Sequence, residues 1–365
     1  MNKKPSLYLP ENIKGRGALE NPAGRFEPLQ VEADLEGLVP VEGEDDFPPP
    51  KLRTQVYRDK SRSIISTNDS PDIGMDATLN PYRGCEHGCI YCFARPTHEY
   101  LGLSAGLDFE TKIFAKPDAP RLLEEKLKSR GWKPAVIFMS GVTDPYQPLE
   151  RKMKITRSCL EILEDFRNPV SFITKNHLVT RDIDILSRMA ALNIVSVNMS
   201  VTTLDRDLAR RMEPRASTPS MRIKAIEQLS KAGIPVNVMI GPVVPGLTEH
   251  EIPAILQAAA EAGATSAGYT MMRLPYGVKD LFQTWLHEHF PDRAEKVLNR
   301  IRSIRDGKLN DAEFGSRMKG EGFYATQVSQ IFDIAKRRYG LTGRATLTTE
   351  HFRGHARDSQ YNLFT

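Results

Sequence analysis

Three cysteines fall within eight residues of one another, in the segment Asn80-Pro-Tyr-Arg-Gly-Cys85-Glu-His-Gly-Cys89-Ile-Tyr-Cys92-Phe-Ala-Arg-Pro. The spacing C-x3-C-x2-C sets three thiolates on one short loop. Such a trio can hold three irons of a cubane and leave the fourth iron without a protein ligand. That open coordination position is what a substrate-activating metal centre needs. Gly84 and Gly88 let the loop fold tightly round a bulky cluster, because glycine adopts backbone angles that other residues resist. The alternative is zinc, with His87 or His98 as fourth ligand. Zinc sites usually pair C-x2-C with a second ligand pair further along, and none follows here. Cys159 lies apart, in the helical run ITRSCLEI at 155–162, and reads as a small buried apolar residue.

The elements that must carry this loop begin at about Ala77. Apolar or β-branched runs occur at 135–140 (AVIFMS), 170–175 (VSFITK), 194–201 (IVSVNMSV), 236–244 (VNVMIGPVV) and 266–272 (SAGYTMM). Helical stretches separate them at 121–129, 153–165, 181–192, 219–232 and 249–262. Strands alternating with helices of this length imply βαβ units and a parallel sheet. Gly233 and Gly263 stand just past two of the helices, where C-terminal capping favours glycine. With a first strand just before Cys85, the pattern makes six βα units, too few for a closed eight-fold barrel. The expected class is α/β: a partial, open (β/α)6 TIM-like barrel, with its chemistry on loops at the C-terminal strand ends. Beyond Pro275 the strand signal stops, and helices near 278–289, 292–305 and 322–339 predict an appended lobe. The expected division is a 1–60 extended or disordered arm, a 61–275 core, a 276–350 helical lobe and a 351–365 flexible tail.

C-x3-C-x2-C with an aromatic, Tyr91, just before the third cysteine resembles the signature of the radical S-adenosylmethionine (SAM) superfamily. The resemblance implies a [4Fe–4S] cluster on Cys85, Cys89 and Cys92, with SAM bound through its amino and carboxylate groups to the fourth iron. Reductive cleavage of SAM then starts hydrogen abstraction from a substrate, the cofactor carrying the chemistry and the protein positioning it. A SAM pocket needs a cation, polar groups and an apolar slot. Lys175 ends one strand and can pair with the carboxylate as a compact charge. Ser200 can hydrogen-bond the amino acid moiety or ribose. Asp144, in SGVTDPYQP, can accept from the ammonium or a ribose hydroxyl. Gly241 and Gly246 let the backbone approach the adenine, and Tyr91 adds an aromatic contact. The other reading of each is a solvated residue at a strand end.

Within the superfamily, Thr174-Lys175-Asn-His177-Leu-Val179 resembles a T-K-x-H-x-V segment of the spore photoproduct lyase family, in which the lysine contacts SAM. Met199-Ser200, Glu213-Pro214-Arg-Ala-Ser-Thr-Pro219, Arg222-Ile-Lys-Ala225 and Lys231-Ala-Gly233 follow in the same order, with the serine at a SAM-contacting position. The resemblance spans roughly 77–272. GRGA near the start, TDPYQP mid-chain and FGSRM late resemble an uncharacterised bacterial branch. One departure stands out. Spore photoproduct lyases place a hydrogen-returning cysteine in the segment corresponding to 138–144, which here reads FMSGVTD. Tyr82, Tyr91 and Tyr146 are the alternative donors, each also readable as packing.

The 365 residues, 40% hydrophobic and 26% charged, suit a soluble globular protein with an ample core. Clustered cysteines argue for metal ligation in a reducing compartment. No signal-peptide core is evident, and no apolar run approaches the roughly 18–20 residues that span a bilayer. A cytoplasmic location follows as the expectation. Residues 1–50 hold five basic, ten acidic and eight proline residues; 291–340 hold eleven basic and seven acidic. That basic segment is compatible with nucleic acid or with a solvated helix face. The end Gln360-Tyr-Asn-Leu363-Phe364-Thr resembles the pentapeptide with which bacterial DNA enzymes dock on the replication sliding clamp; a tucked terminus is the other reading. The expected function is therefore a radical SAM enzyme, lyase-like or a transferase, acting on a nucleic acid or nucleotide in DNA-repair fashion. A flavodoxin or ferredoxin would supply the electron. The competing readings are action on a peptide, tRNA or small metabolite, and a non-catalytic iron–sulfur protein that binds nucleic acid.

Overall fold

The computed structural model describes residues 15–26, 52–67, 70–72, 74, 77–343 and 345–354. Among these described residues ten strands form: β1 (Gln55–Arg58), β2 (Ile65–Thr67), β3 (Ala77–Leu79), β4 (Tyr82–Arg83), β5 (Lys112–Ala115), β6 (Ile137–Met139), β7 (Val170–Thr174), β8 (Val195–Ser200), β9 (Val236–Val243) and β10 (Ser266–Met271). Seven of them make one sheet in the order β10-β9-β8-β7-β6-β3-β2. Every pair in it is parallel except β2 with β3, so six parallel strands carry an antiparallel edge. This is the expected partial barrel. A second sheet, β1-β5-β4, stands beside the cysteine loop.

Helices between the parallel strands cover the sheet because their apolar residues recur at helical spacing. In helix Ile155–Phe166, the buried residues are Ile155, Thr156, Cys159, Leu160, Leu163 and Phe166, one stripe facing the sheet. Along β7 burial alternates, with Val170, Phe172 and Thr174 inside. Fully burying each such Val, Leu, Ile or Phe contributes roughly 1.5–3 kcal/mol, and Leu160→Ala would cost about 2–5 kcal/mol. Gly233 and Gly263 take φ of 75° and 95° just past their helices, as the capping pattern predicts.

Two cores result. The larger lies between the parallel strands and their helices, and it also takes Ala325, Val328 and Phe332 of helix Gly322–Arg338. The smaller joins the C-terminal helices Val278–His289 and Ala294–Ser303, through Phe282, Trp285, Val297 and Ile301, to Ala18, Ile90, Tyr91 and Met212. The late helices thus back the cysteine loop. Residues 15–26, inside the segment expected to be extended or disordered, pack on that loop through backbone contacts that leave no apolar signature in the sequence. The clamp-like Gln360–Phe364 tail lies outside the described residues. No described helix is long and apolar enough to cross a membrane.

Candidate functional site

The cysteine loop is shaped by backbone. Gly84 and Gly88 have φ of 78° and 68°, and a Cβ at Gly84 would come within 2.8 Å of His98 Cε1 and 2.9 Å of Phe109 O. Cys85 N donates to Phe109 O at 3.0 Å and Ile90 N to Met212 O at 3.0 Å, fixing both flanks. Arg95, fully buried, gathers the rest: it donates to Cys89 O (2.9 Å), Gly88 O (3.3 Å), Ala105 O (3.1 Å), Gly106 O (2.9 Å) and Glu110 Oε1 (2.5 Å). Glu110, also fully buried, accepts from Gly17 N (3.0 Å) and Ala18 N (2.8 Å), so the N-terminal segment closes over the loop. Arg16 extends the closure to Glu110 O and Leu52 O, both at 2.8 Å.

Cys85 and Cys89 are buried and Cys92 is half-buried. Burial raises all three thiols, and for Cys85 the neighbouring Asp144, Cys89 and Cys92 add to it. Three soft sulfur donors held close together and protonated when empty are suited to release their protons to iron, the usual coupling of ligand ionisation to metal binding. Among the described residues no three His, Cys, Asp or Glu side chains converge on a single-ion site. A cubane spreads its thiolates over separate irons, so the loop fits a cluster. Both histidines are engaged elsewhere. His87 Nδ1 faces Asp144 Oδ2 at 3.3 Å and its Nε2 meets Asn176 Nδ2 at 3.2 Å. His98 Nε2 meets Lys112 O at 2.9 Å, and its ring packs edge-on against Phe109. Cys159 is fully buried in the larger core.

The C-terminal strand ends converge beside this loop. Lys175, after β7, donates from Nζ to Ser200 Oγ at the end of β8 (2.7 Å) and to Gly241 O in β9 (3.0 Å). Its ammonium also lies 5.8 Å from the Tyr91 ring centroid. Four of the six residues expected to line a SAM pocket therefore meet at one point. Asp144 is close by, but its oxygens are used on the protein: they accept from Tyr146 N (2.8 Å), Thr174 Oγ1 (2.7 Å) and Lys175 N (2.9 Å). Burial opposes its ionisation, yet His87, Lys175 N and Thr174 hold its carboxyl below the usual range. These bonds fix the Lys175 backbone. Gly246 is elsewhere, its missing Cβ leaving room for Val297 and Arg300.

The charge balance of this point rests on residues that the sequence reading quoted without assigning a role. Glu213, 2% exposed, accepts from the Tyr91 hydroxyl, from Thr202 Oγ1 (2.7 Å) and from Arg222 Nη2. Burial pushes its carboxyl up, but Arg222, Lys175, Tyr91 and Thr202 outweigh that and bring it to about 2. Arg222 also donates to Ser200 O (3.2 Å) and Ser217 O (2.7 Å). Glu213 also lies 4.0 Å from Lys175 Nζ, so one buried carboxylate stands between the Arg222 guanidinium and the Lys175 ammonium. Ser140 is a further feature with no sequence signal. It sits at the end of β6 with φ of 71°, buried, its hydroxyl without a partner. Positive φ at a non-glycine residue is uncommon and concentrates at functional positions. Of the tyrosines considered as hydrogen donors, Tyr82 is buried against Glu150 and Tyr146 against Phe172, whereas Tyr91 faces the cysteine loop.

Residues 79–259 match the sequence profile of the radical SAM superfamily. This is a radical SAM domain. The superfamily uses a [4Fe–4S] cluster and SAM, and these are the domain's cofactors. The chain is 34% identical over 221 residues to an uncharacterised Mycobacterium tuberculosis protein, an alignment covering 60% of this chain and 65% of that one. It thus spans just under two thirds of that relative's length. An uncharacterised Methanocaldococcus jannaschii protein is 25% identical over 249 residues, 68% of this chain and 88% of that one. The radical SAM Nalpha-GlyT isomerase of Pseudomonas phage M6 is 24% identical over 280 residues, 75% of this chain and 56% of that protein. Among solved structures, spore photoproduct lyase complexed with dinucleoside spore photoproduct superposes with a TM-score of 0.55 at 15% identity, over 79% of this chain and 81% of that one. The radical SAM fold extends well past 79–259.

Proposed function

We propose that this chain is an enzyme in which Cys85, Cys89 and Cys92 hold the cluster while Lys175, Ser200, Gly241 and Tyr91 line the SAM site, and that its substrate is a nucleic acid or nucleotide. The observation that carries this reading is the meeting of four strand-end and loop residues around the Lys175 ammonium beside three thiols. When bound, the two cofactors supply a carbon radical that takes a hydrogen atom from substrate. The chain's own part is placement and exclusion. Lys175 offers its charge to the SAM carboxylate, and Arg222 shares Glu213, so the carboxylate 4.0 Å from Lys175 Nζ does not serve Lys175 alone. The Tyr91 ring forms an aromatic wall. The 15–26 segment and the C-terminal helices keep water from the back of the loop. Superfamily members need a one-electron reductant, and half-buried Cys92 with exposed Phe93 is the approach for a flavodoxin or ferredoxin.

The nucleic-acid half of the reading is supported by a rim of aromatic rings and guanidinium groups near the loop. Arg25 lies 3.7 Å from the Tyr276 ring centroid and 4.8 Å from that of Phe26, which stacks on Tyr100 at 5.1 Å. Arg273 lies 5.7 Å from the ring of Phe93, the residue after Cys92. All four rings are more than half exposed. Exposed aromatic rings interleaved with arginine are the usual platform for unstacked bases, and a solved protein of this fold holds a dinucleoside. The test is anaerobic reconstitution and reduction with SAM, with 5′-deoxyadenosine followed by mass spectrometry. Formation that rises when single-stranded DNA or RNA is added supports both halves. Fully loaded, reduced protein that never cleaves SAM overturns the enzyme reading, and cleavage indifferent to every nucleic acid overturns the substrate reading.

A further inference from the structure

The parallel strands of the sheet present a functional residue at their C-terminal ends almost without exception: the cysteine loop after β3, Asp144 after β6, Lys175 after β7, Ser200 on β8 and Gly241 on β9. The sixth strand, β10, is followed two residues on by Arg273. Its guanidinium is half-buried, with Nε buried and bonded to nothing. Its polar contact is a weak one, Nη1 to Met318 Sδ at 3.6 Å. Among the described residues no carboxylate pairs with it. The nearest acids are committed: Asp72 to Arg317 Nε at 2.5 Å and to Gly315 N at 2.8 Å, and Asp311 to Glu313 N at 2.8 Å and the Ser316 hydroxyl. Arg317 and Arg305 are close enough to repel it. Asp72 and Asp311 act on it only from a distance; a guanidinium taken partly out of water without a directly bonded counter-charge is costly, and such groups concentrate where a ligand supplies the missing partner.

We propose that Arg273 is the receptor for a phosphate of the substrate, holding it at the barrel mouth over Phe93 and so within reach of the chemistry at the cysteine loop. This rests on the nucleic-acid reading above and specifies how that substrate is anchored. Phosphate suits the position because it presents paired oxygens to the fork of a guanidinium, and because the stacked rings of the rim take the bases that phosphates accompany. Lys175 remains for SAM, so the two anions of the ternary complex have separate cations.

The experiment uses the full-length, cluster-loaded protein. Binding of a fluorescein-labelled single-stranded oligonucleotide is measured by anisotropy at several salt concentrations, with a nucleoside 5′-monophosphate and the matching nucleoside as competitors. Arg273→Gln is expected to weaken oligonucleotide binding roughly ten- to a hundredfold and to flatten the salt dependence by about one phosphate contact. Arg273→Lys keeps the salt slope. Met318→Leu, which removes the sulfur neighbour, changes neither. The monophosphate competes better than the nucleoside against wild type and loses that advantage against Arg273→Gln. If Arg273→Gln binds the strand as wild type does, with the same slope, the inference is wrong and the proposed function stands. Equal losses in the Gln and Lys variants with unchanged slopes assign the effect to packing and likewise overturn it. If the strand does not bind but the monophosphate does, in an Arg273-dependent way, the receptor serves a mononucleotide and the inference holds. If wild type binds neither probe, the inference and the nucleic-acid reading fall together.

Discussion

Gly17 is the residue whose replacement most sharply tests whether the N-terminal segment belongs to the cluster loop. A Cβ built on it lies 1.8 Å from Gly88 O and 3.3 Å from Ile90 N, where separations under 3.0 Å are essentially never seen. Gly17→Ala therefore forces the segment away from the loop by more than an ångström. The bonds from Gly17 N and Ala18 N to Glu110, at 3.0 and 2.8 Å, cannot survive that shift. Hydrogen bonds to a charged group contribute roughly 1.5–3 kcal/mol each. Water replaces part of this at a surface segment, so the low end applies and docking loses about 3 kcal/mol. At 1.4 kcal/mol per decade, that is roughly a hundredfold rise in opening. Hydrogen exchange followed by mass spectrometry on peptides covering 15–26 and 84–92 reads this directly, because local opening controls exchange. Both peptides should exchange faster while the strands of the main sheet keep their protection, and iron retained after anaerobic desalting should fall. Unchanged exchange in both peptides would refute the assignment of this segment to the loop.

Arg222→Met leaves the buried Glu213 carboxylate with only the more distant Lys175 as counter-charge and should cost about 3–5 kcal/mol, a large share of a typical 5–15 kcal/mol stability. The urea midpoint measures it, and adding Glu213→Leu should recover most of the loss. Acid sensitivity follows from His98, which burial lowers to about 4 from its ordinary 6.5. Because the folded state binds this proton less readily, stability is full above pH 6.5 and declines as pH falls towards 4, by ~3 kcal/mol at most. The difference between wild type and His98→Phe across that window, in cluster-free protein, should show this slope; parallel curves would contradict it. Cys159→Ala should leave the iron count unchanged and cost about 1 kcal/mol in thermal unfolding, whereas loss of iron would make Cys159 a ligand.

Much of this was legible in the sequence because it is written in short-range pattern. The cysteine spacing, the apolar runs of β6 to β10 and the amphipathic helices between them each reside within a dozen residues, and Lys175, Ser200 and Gly241 are marked by their places at or near strand ends. Other parts have no local signature. The second sheet is built from strands of two to four residues, one of them, β1, exposed throughout. The docking of 15–26 is a matter of backbone donors and a buried carboxylate some ninety residues away, at Glu110. Glu213 and Arg222 flank the start of a helix, and nothing in their own segment shows that Tyr91 and Lys175 complete their network. Asp144 was visible as a strand-end acid, but only the geometry shows that its oxygens are already taken. Arg273 carries no periodicity at all; its meaning comes from lacking a partner.

The most direct test of the central claim is the metal content of protein reconstituted without oxygen, wild type beside Cys85→Ala, Cys89→Ala and Cys92→Ala. Three thiolates gripping a cubane predict about four irons and four sulfides per wild-type chain, a brown colour, and collapse of both counts in each variant. Zinc in place of iron, or full iron loading after loss of any one of the three cysteines, would contradict it.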